Sequence, residues 1–279
     1  LLDAELSSTR PTSMLMERIF DYLKYALSSS FRSVPVMFSM DDHHFIDHND
    51  FITKRNMKPE ELIDYVFQPV EGVHDELFTE QDEKISECCS AKTKKKAYLR
   101  TSSMPNLLYQ DIFQSDQVQS LKDKLFLTST ASDSESECSL SEDFSRKLFK
   151  QETMQLWIGT KGNVTQLHYD RNHGLLAQII GRKRTFLFSH KDTGCLYPYP
   201  SYTPKSHVSK VNLRQPDDVL NRFPRFKRAK VYHCVINVGD LLYIPPFWWH
   251  DVTLLDNCVS VTLPWDISSN EDIPPCMLR

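Results

Sequence analysis

The sequence has no CxxC pair. Its seven cysteines, at 88, 89, 138, 195, 234, 258 and 276, are scattered and odd in number, which argues against a cysteine-built zinc site, and a chain this long needs no disulfide staples. Reduced thiols in a cytoplasmic or nuclear protein are the expectation. No apolar run approaches the roughly 20 residues of a membrane span, so no membrane partner is expected. The opening LLDAELSSTRPTS has neither the basic nor the apolar region of a signal peptide, and the missing initial Met makes a fragment the expectation. An excess of one charge is also lacking: a net charge of -4 and a pI near 6.2 give no overall field that would pull the chain onto nucleic acid or anionic lipid. There is no internal repeat. What remains is a chain of 279 residues, 40% apolar, able to bury one sizeable core.

The first half mixes helical and extended signals. MLMERIFDYLKYAL places Leu15, Ile19, Tyr22, Leu23 and Leu27 at helical spacing, and KPEELIDYVF repeats the pattern behind Pro59 at a first helical turn. Two segments, near 78–96 and 128–145, read as mobile loops; the second is rich in Ser and acidic residues and nearly devoid of core formers. The lysines at 92 and 94 to 96 read either as a solvated surface or as a phosphate contact. After residue 150 short extended runs take over: MQLWIG, VTQLHYD, LLAQIIG, KRTFLFS, YHCVINV, DLLYIP and CVSVTL, punctuated by Gly159, Gly162, Gly174, Gly181 and Gly239. Many short strands at this spacing predict a mainly β fold with flanking helices, a barrel or jelly roll. The expected organisation is an N-terminal α/β region, 1–150, packing on a β core, 151–279, in one structural domain.

Three residues stand out chemically. On a strand, residues two apart share a face, so His168 and Asp170 in TQLHYDRN project together while Leu167 and Tyr169 project oppositely. An HxD pair alone is either a solvated strand face or two metal ligands. In GDLLYIPPFWWHDV a turn at Gly239-Asp240, a buried apolar strand and a Pro pair lead to His250, which shares its face with Val252 and Leu254. An imidazole on that face is either bonded to a backbone carbonyl or is a third ligand. Two histidines and one carboxylate with nothing softer nearby suit Fe(II) with open positions. In GRKRTFLF, Lys183 alternates with Arg184, so one cation points inward or both snorkel to the surface. A charge inside a barrel is costly unless paired, and an anionic ligand would pair it.

The strings LWIGTKGNVTQLHYD, AQIIGRKRTFLF, CLYPYP, RFPRF and GDLLYIPPFWWH resemble the JmjC family of Fe(II)- and 2-oxoglutarate-dependent oxygenases. They look most like its asparaginyl hydroxylase branch and share much with the tRNA wybutosine hydroxylase. The resemblance implies a double-stranded β-helix of the cupin/JmjC kind and iron held by His168, Asp170 and His250. It implies 2-oxoglutarate and O2 as co-substrates, with the far carboxylate of 2-oxoglutarate on Lys183, and no catalytic residue beyond the metal ligands. Tyr98 in KAYLRT and Thr165 match hydroxyl donors to that carboxylate; in isolation each reads as ordinary packing or a turn residue. Leu176, Trp248 and Trp249 are candidates to shield the site, the tryptophans being equally at home in a core.

The implied reaction is hydroxylation of a protein side chain with release of succinate and CO2. A tRNA base is the alternative substrate, with RFPRFKRAK and the lysine run as basic contacts. A lysine demethylase and a non-catalytic cupin-like module are further alternatives. Gly174 stands where the asparaginyl hydroxylases carry Asn, His207 and Val208 where they carry an Arg-Gln pair, and Leu263 and Pro264 near a further Asn. Gly174 and Leu176 are therefore the candidate substrate pocket. Oligomeric state is not legible.

Overall fold

The structure, a computed structural model, describes residues 13–39, 52–67, 95–113, 150–214, 216–269 and 271–277. The expected loop at 128–145 and most of the one near 78–96 lie outside them. Lys96 is a correction to that second boundary: it opens a strand, because Ala97 and Leu99 behind it are buried under helices.

The described strands are β1 (Val34–Ser39), β2 (Ile52–Met57), β3 (Lys96–Arg100), β4 (Gln155–Gly159), β5 (Val164–Tyr169), β6 (His173–Ile180), β7 (Lys183–Phe188), β8 (Val231–Ile236), β9 (Leu241–Ile244), β10 (Trp249–Leu254) and β11 (Cys258–Trp265). They form a seven-stranded sheet, ordered β2-β1-β3-β4-β11-β6-β9, and a four-stranded sheet, ordered β5-β10-β7-β8. Every pairing is antiparallel. From β4 onward the chain crosses repeatedly between the sheets, the winding of a double-stranded β-helix. All the extended runs read from the second half are strands, and β3 joins β1 to β4 so that the large sheet runs through position 150 without a break.

Three helices cover the outer face of the large sheet: α1 (Ser13–Ser30), α2 (Pro59–Phe67) and α3 (Asn106–Phe113). The α2 start follows from sequence: Pro59 needs no hydrogen-bond partner for its nitrogen, and Glu61 reaches back to the Lys58 amide at 3.1 Å. Leu23 and Leu27 of α1 and Leu62, Ile63 and Val66 of α2 bury against Val36, Leu99, Leu156, Ile158, Val259 and Val261, the residues of alternate parity on β1, β3, β4 and β11. The opposite parity faces the other sheet. Behind the small sheet, Leu167, Tyr169, Phe188 and Trp249 form a second core with Leu196, Val211, Val219 and Phe247. These come from the stretch between β7 and β10, which also contains a short helix α4 (Pro216–Arg222).

Two expectations need correction. DLLYIP is not a buried strand: β9 is the last strand of the large sheet, nothing described covers its outer face, and Leu241 and Tyr243 are exposed. Strict alternation also fails in β5. His168 pairs with His250 and Thr165 with Val252, so β5 uses Gln166 and Leu167 where β10 uses Asp251 alone. This β-bulge turns Gln166 and Leu167 outward together and brings Thr165 and His168, three apart, onto one inner face.

Candidate metal centre

Between the sheets lies a cavity of about 600 Å³, lined among others by Tyr98, Trp157, Thr165, His168, Asp170, Gly174, Leu176, Lys183 and His250. The structure thus gathers His168, Asp170, His250, Lys183, Thr165, Tyr98, Gly174 and Leu176 at one cavity. His168 ends β5, Asp170 lies just past it, and His250 opens the neighbouring β10. One potential ligand atom from each falls within 4.8 Å of the others. Asp170 Oδ2 is 4.0 Å from His168 Nε2 and 3.6 Å from His250 Nε2. The imidazoles are held alike. His168 Nδ1 donates to the Gln166 carbonyl at 2.7 Å and His250 Nδ1 to the Trp248 carbonyl at 3.1 Å, each two residues back. Both rings then carry the proton on Nδ1, leaving the Nε2 lone pairs to converge with the carboxylate.

Electrostatics fit the same use. Burial, then the neighbouring His250, hold His168 well below the usual imidazole range, so it is a neutral donor of electrons at physiological pH. Partial burial pushes Asp170 upward, but His168 and His250 outweigh it and keep the carboxyl ionised. Neutral imidazole and carboxylate are the forms that bind a metal. The hard-to-borderline N2O donor set fits a first-row divalent ion such as Fe(II).

Lys183 is the inward cation of its pair. Only 3% of it is exposed, and its Nζ donates to Ser260 Oγ at 2.5 Å. Among the described residues no carboxylate neutralises it, and burial pushes its pKa down to about 8. Arg184 points to the other side, over the Phe186 ring at 5.4 Å. A buried, uncompensated ammonium in a cavity wall is the fit expected for one end of a dicarboxylate. Tyr98 and Thr165 lie near the same end, with their hydroxyls 3.4 Å apart. Burial pushes the Tyr98 phenol up to about 12, so it stays a neutral donor. Gly159 makes room for it: a Cβ there would sit 2.6 Å from the Tyr98 ring.

The remaining candidates divide. Leu176 lines the cavity, and a Cβ on Gly174 would meet nothing within 4 Å, so this wall holds unused space. Trp248 and Trp249 do not shield the cavity. Trp249 is fully buried behind the small sheet, with Nε1 donating to Thr193 Oγ1 at 3.0 Å, and Trp248 packs beside Tyr232. Odd parity on β10 sends Trp249 away from His250. Val208 is buried behind His168, to which it is bridged, and Leu263 belongs to the helical core, whereas Pro264 faces the cavity.

Several residues at or next to the cavity lining escaped the sequence reading. Ser260 was recoverable, because CVSVTL alternates and puts it on the inner face of β11 with Thr262. His173 was not. It stacks on Trp265 with ring centroids 4.8 Å apart, hydrogen-bonds the Tyr243 hydroxyl through Nδ1 at 2.7 Å and pairs through Nε2 with Glu271 at 2.9 Å. Nothing local in the sequence joins four such distant positions.

Residues 31–271 match the model of the cupin-like domain family. The chain is 42% identical over 105 residues to JmjC domain-containing protein D of Dictyostelium discoideum, covering 38% of this chain and 23% of that protein. It is 39% identical over 113 residues to lysine-specific demethylase 8 of Xenopus tropicalis, covering 40% and 25%. It is 41% identical over 120 residues to HSPB1-associated protein 1 of Rattus norvegicus, covering 42% and 24%. In each case the match spans about a quarter of the relative's length.

Proposed function

The chain belongs to the cupin-like domain family, and on that footing we propose that it is an Fe(II)- and 2-oxoglutarate-dependent dioxygenase that hydroxylates a protein side chain. One observation carries the reading. A convergent His168, Asp170, His250 set and a buried cation without a counter-charge, Lys183, face a single cavity.

His168, Asp170 and His250 would hold the iron. With 2-oxoglutarate and O2 bound, the iron supplies an oxidant that puts one oxygen atom into a substrate C-H bond and the other into succinate, with loss of CO2. The chain's own residues do the placing. Nδ1 of each histidine, fixed by a carbonyl two residues back, sets the ring plane and the tautomer. Lys183 Nζ anchors the far carboxylate of 2-oxoglutarate, assisted by the Tyr98 and Thr165 hydroxyls. Leu176, Trp157 and Pro264 keep water from the reacting face. Gly174 leaves the substrate room beside the metal ligands.

A protein substrate is supported by relatives whose names refer to lysine-specific demethylation and to association with HSPB1. Demethylation and hydroxylation share the C-H oxidation, since a hydroxylated N-methyl group falls apart to an amine and formaldehyde. A reducing intracellular setting is proposed on the same footing; Cys195, Cys234, Cys258 and Cys276 are all free. Succinate release with Fe(II) and 2-oxoglutarate, measured against separate protein and tRNA fractions, tests the proposal. Stimulation by protein with a +16 Da product is expected, and stimulation by tRNA alone would move the assignment to the base hydroxylases.

A further inference from the structure

Behind the small sheet, on the side away from the candidate metal centre, lies a second pocket of about 510 Å³. Tyr169 of β5 and Trp249 of β10 reach it from the sheet, Arg171 enters from the turn after β5, and the YPYPS stretch forms a wall. Three cations line it, Arg171, Lys210 and Arg225, and no carboxylate does. None of the three is ion-paired with a described carboxylate.

The surroundings share this sign. Residues 191–230 contain nine Lys and Arg against three Asp in a chain whose net charge is -4, so a basic surface is set in an otherwise acidic molecule. Arg225, Lys227 and Arg228 share one 3-10 turn, Pro224–Arg228, and all three are exposed.

The cations are interleaved with aromatic rings. The Arg225 guanidinium lies 4.7 Å from the centre of the Tyr197 ring, and Lys210 Nζ 5.5 Å from that of Tyr199. Tyr202, on the next turn, is 87% exposed. The framework is preformed. Tyr197 is held at φ +49°, in the left-handed region a tyrosine rarely adopts. Hydrogen bonds from the Lys210 amide to the Tyr197 carbonyl and from the Tyr199 amide to the Val208 carbonyl, both 3.0 Å, lock the wall.

We infer that this pocket is a docking site for single-stranded nucleic acid, taking backbone phosphates on Arg171, Lys210 and Arg225 and stacking a base against the Tyr197–Arg225 pair. Cationic grooves with aromatic and guanidinium faces bind single strands because every base has a π-face and every linkage a charge. The cations that continue outside the pocket along Pro224–Arg228 favour a polymer over a free nucleotide. An acidic peptide would use the charges but leave the ring faces idle. The inference is independent of the iron reading, since no pocket residue is a candidate metal ligand.

The test is fluorescence anisotropy of a labelled 12-mer RNA of mixed sequence with the whole chain, across a salt series. Neutralising three phosphates predicts a log-log salt slope of about -2. The triple variant Arg171→Glu, Lys210→Glu, Arg225→Glu should weaken binding at least tenfold. A charge-matched control, Arg18→Glu, Lys58→Glu, Lys161→Glu, should retain it, with the fold of both checked by circular dichroism. Equal loss in the control, no binding at all, competition by polyglutamate as strong as by unlabelled RNA, or full displacement by micromolar uridine monophosphate would each overturn the inference. Metal-dependent 2-oxoglutarate turnover is measured in parallel on the triple variant and should be unchanged, which separates this site from the cavity.

Discussion

Replacing Lys183 with Met should make the unliganded protein more stable and unable to hold 2-oxoglutarate. Burial pushes the Lys183 pKa down to about 8 from 10.5, which corresponds to roughly 3 kcal/mol. Below pH 8 the lysine is charged in folded and unfolded chains alike, and the fold carries that whole penalty. Between pH 8 and 10.5 only the unfolded chain keeps the proton, so stability rises with pH as the penalty fades. Methionine fills a similar volume without charge. It leaves the Ser260 hydroxyl without its 2.5 Å partner, at about 1 to 1.5 kcal/mol. The net gain is about 2 kcal/mol at pH 7, a rise of roughly 3 °C in Tm for 279 residues. At pH 9 the gap should narrow to under about 1 kcal/mol. Scanning calorimetry at the two pH values measures this. Adding 2-oxoglutarate with Mn(II) at a hundredfold excess over Kd should stabilise the wild type by about 2.7 kcal/mol and the variant by far less. A variant that is less stable at pH 7 would refute the buried-charge argument, and one that keeps the full ligand response would refute the assignment of Lys183.

Other outcomes follow from the same geometry. His168→Ala and Asp170→Ala should each abolish stoichiometric iron binding, read by elemental analysis, and 2-oxoglutarate decarboxylation, while the thermal transition stays cooperative; iron retained by either variant would contradict the triad. Gly174→Asn should fold normally, because the space beside Gly174 is empty; it should slow product formation more than it slows 2-oxoglutarate consumption, and equal losses would place the substrate elsewhere. Gly181→Ala should cost at least about 2 kcal/mol in urea denaturation, since φ is +72° and the new Cβ would lie 2.3 Å from the Asn257 carbonyl oxygen; a neutral effect would mean the β6–β7 turn relaxes freely. Removing Asp251 as Ala should cost roughly 3 to 5 kcal/mol, because Arg214 donates to both its carboxylate oxygens and would stay largely buried with Thr253 Oγ1 as its one remaining side-chain partner among the described residues; exchanging both residues for apolar ones should restore most of it.

The strands of the second half were legible because each is short, apolar and bounded by turn residues, and alternation put Lys183 and Arg184 on opposite faces; the family resemblance chose Lys183 as the inward one. His168 and Asp170 on one face followed from period two. That His250 lies beside them did not follow, since β5 and β10 are eighty residues apart and their pairing is a tertiary fact; only the family resemblance joined them. Strand β1 was missed because VPVMFS carries a proline. Pro35 is tolerated because the pairing of β1 with β3 begins only at Met37, so at Pro35 the strand has a neighbour, β2, on one side alone. The exposure of β9 was misread because an apolar string says nothing about whether its strand lies at a sheet edge. Thr165 was assigned to the cavity by resemblance and would have been sent to the opposite wall by counting alone.

The bulge at Gln166–Leu167 bears on how this fold tolerates change. On the proposed reading one strand would serve both ends of the site, His168 toward the metal and Thr165 toward the far carboxylate of 2-oxoglutarate, because its phase slips by one residue between them. The match between spacing and bulge, more than the letters, is what must be inherited. Drawn out as a regular strand, the same residues would turn one anchor out of the cavity, whereas deleting Gln166 would remove the extra residue and the bulge together and keep both anchors in. Substitutions in β5 can be graded by chemistry, but an insertion or deletion there also decides whether a bulge is needed at all.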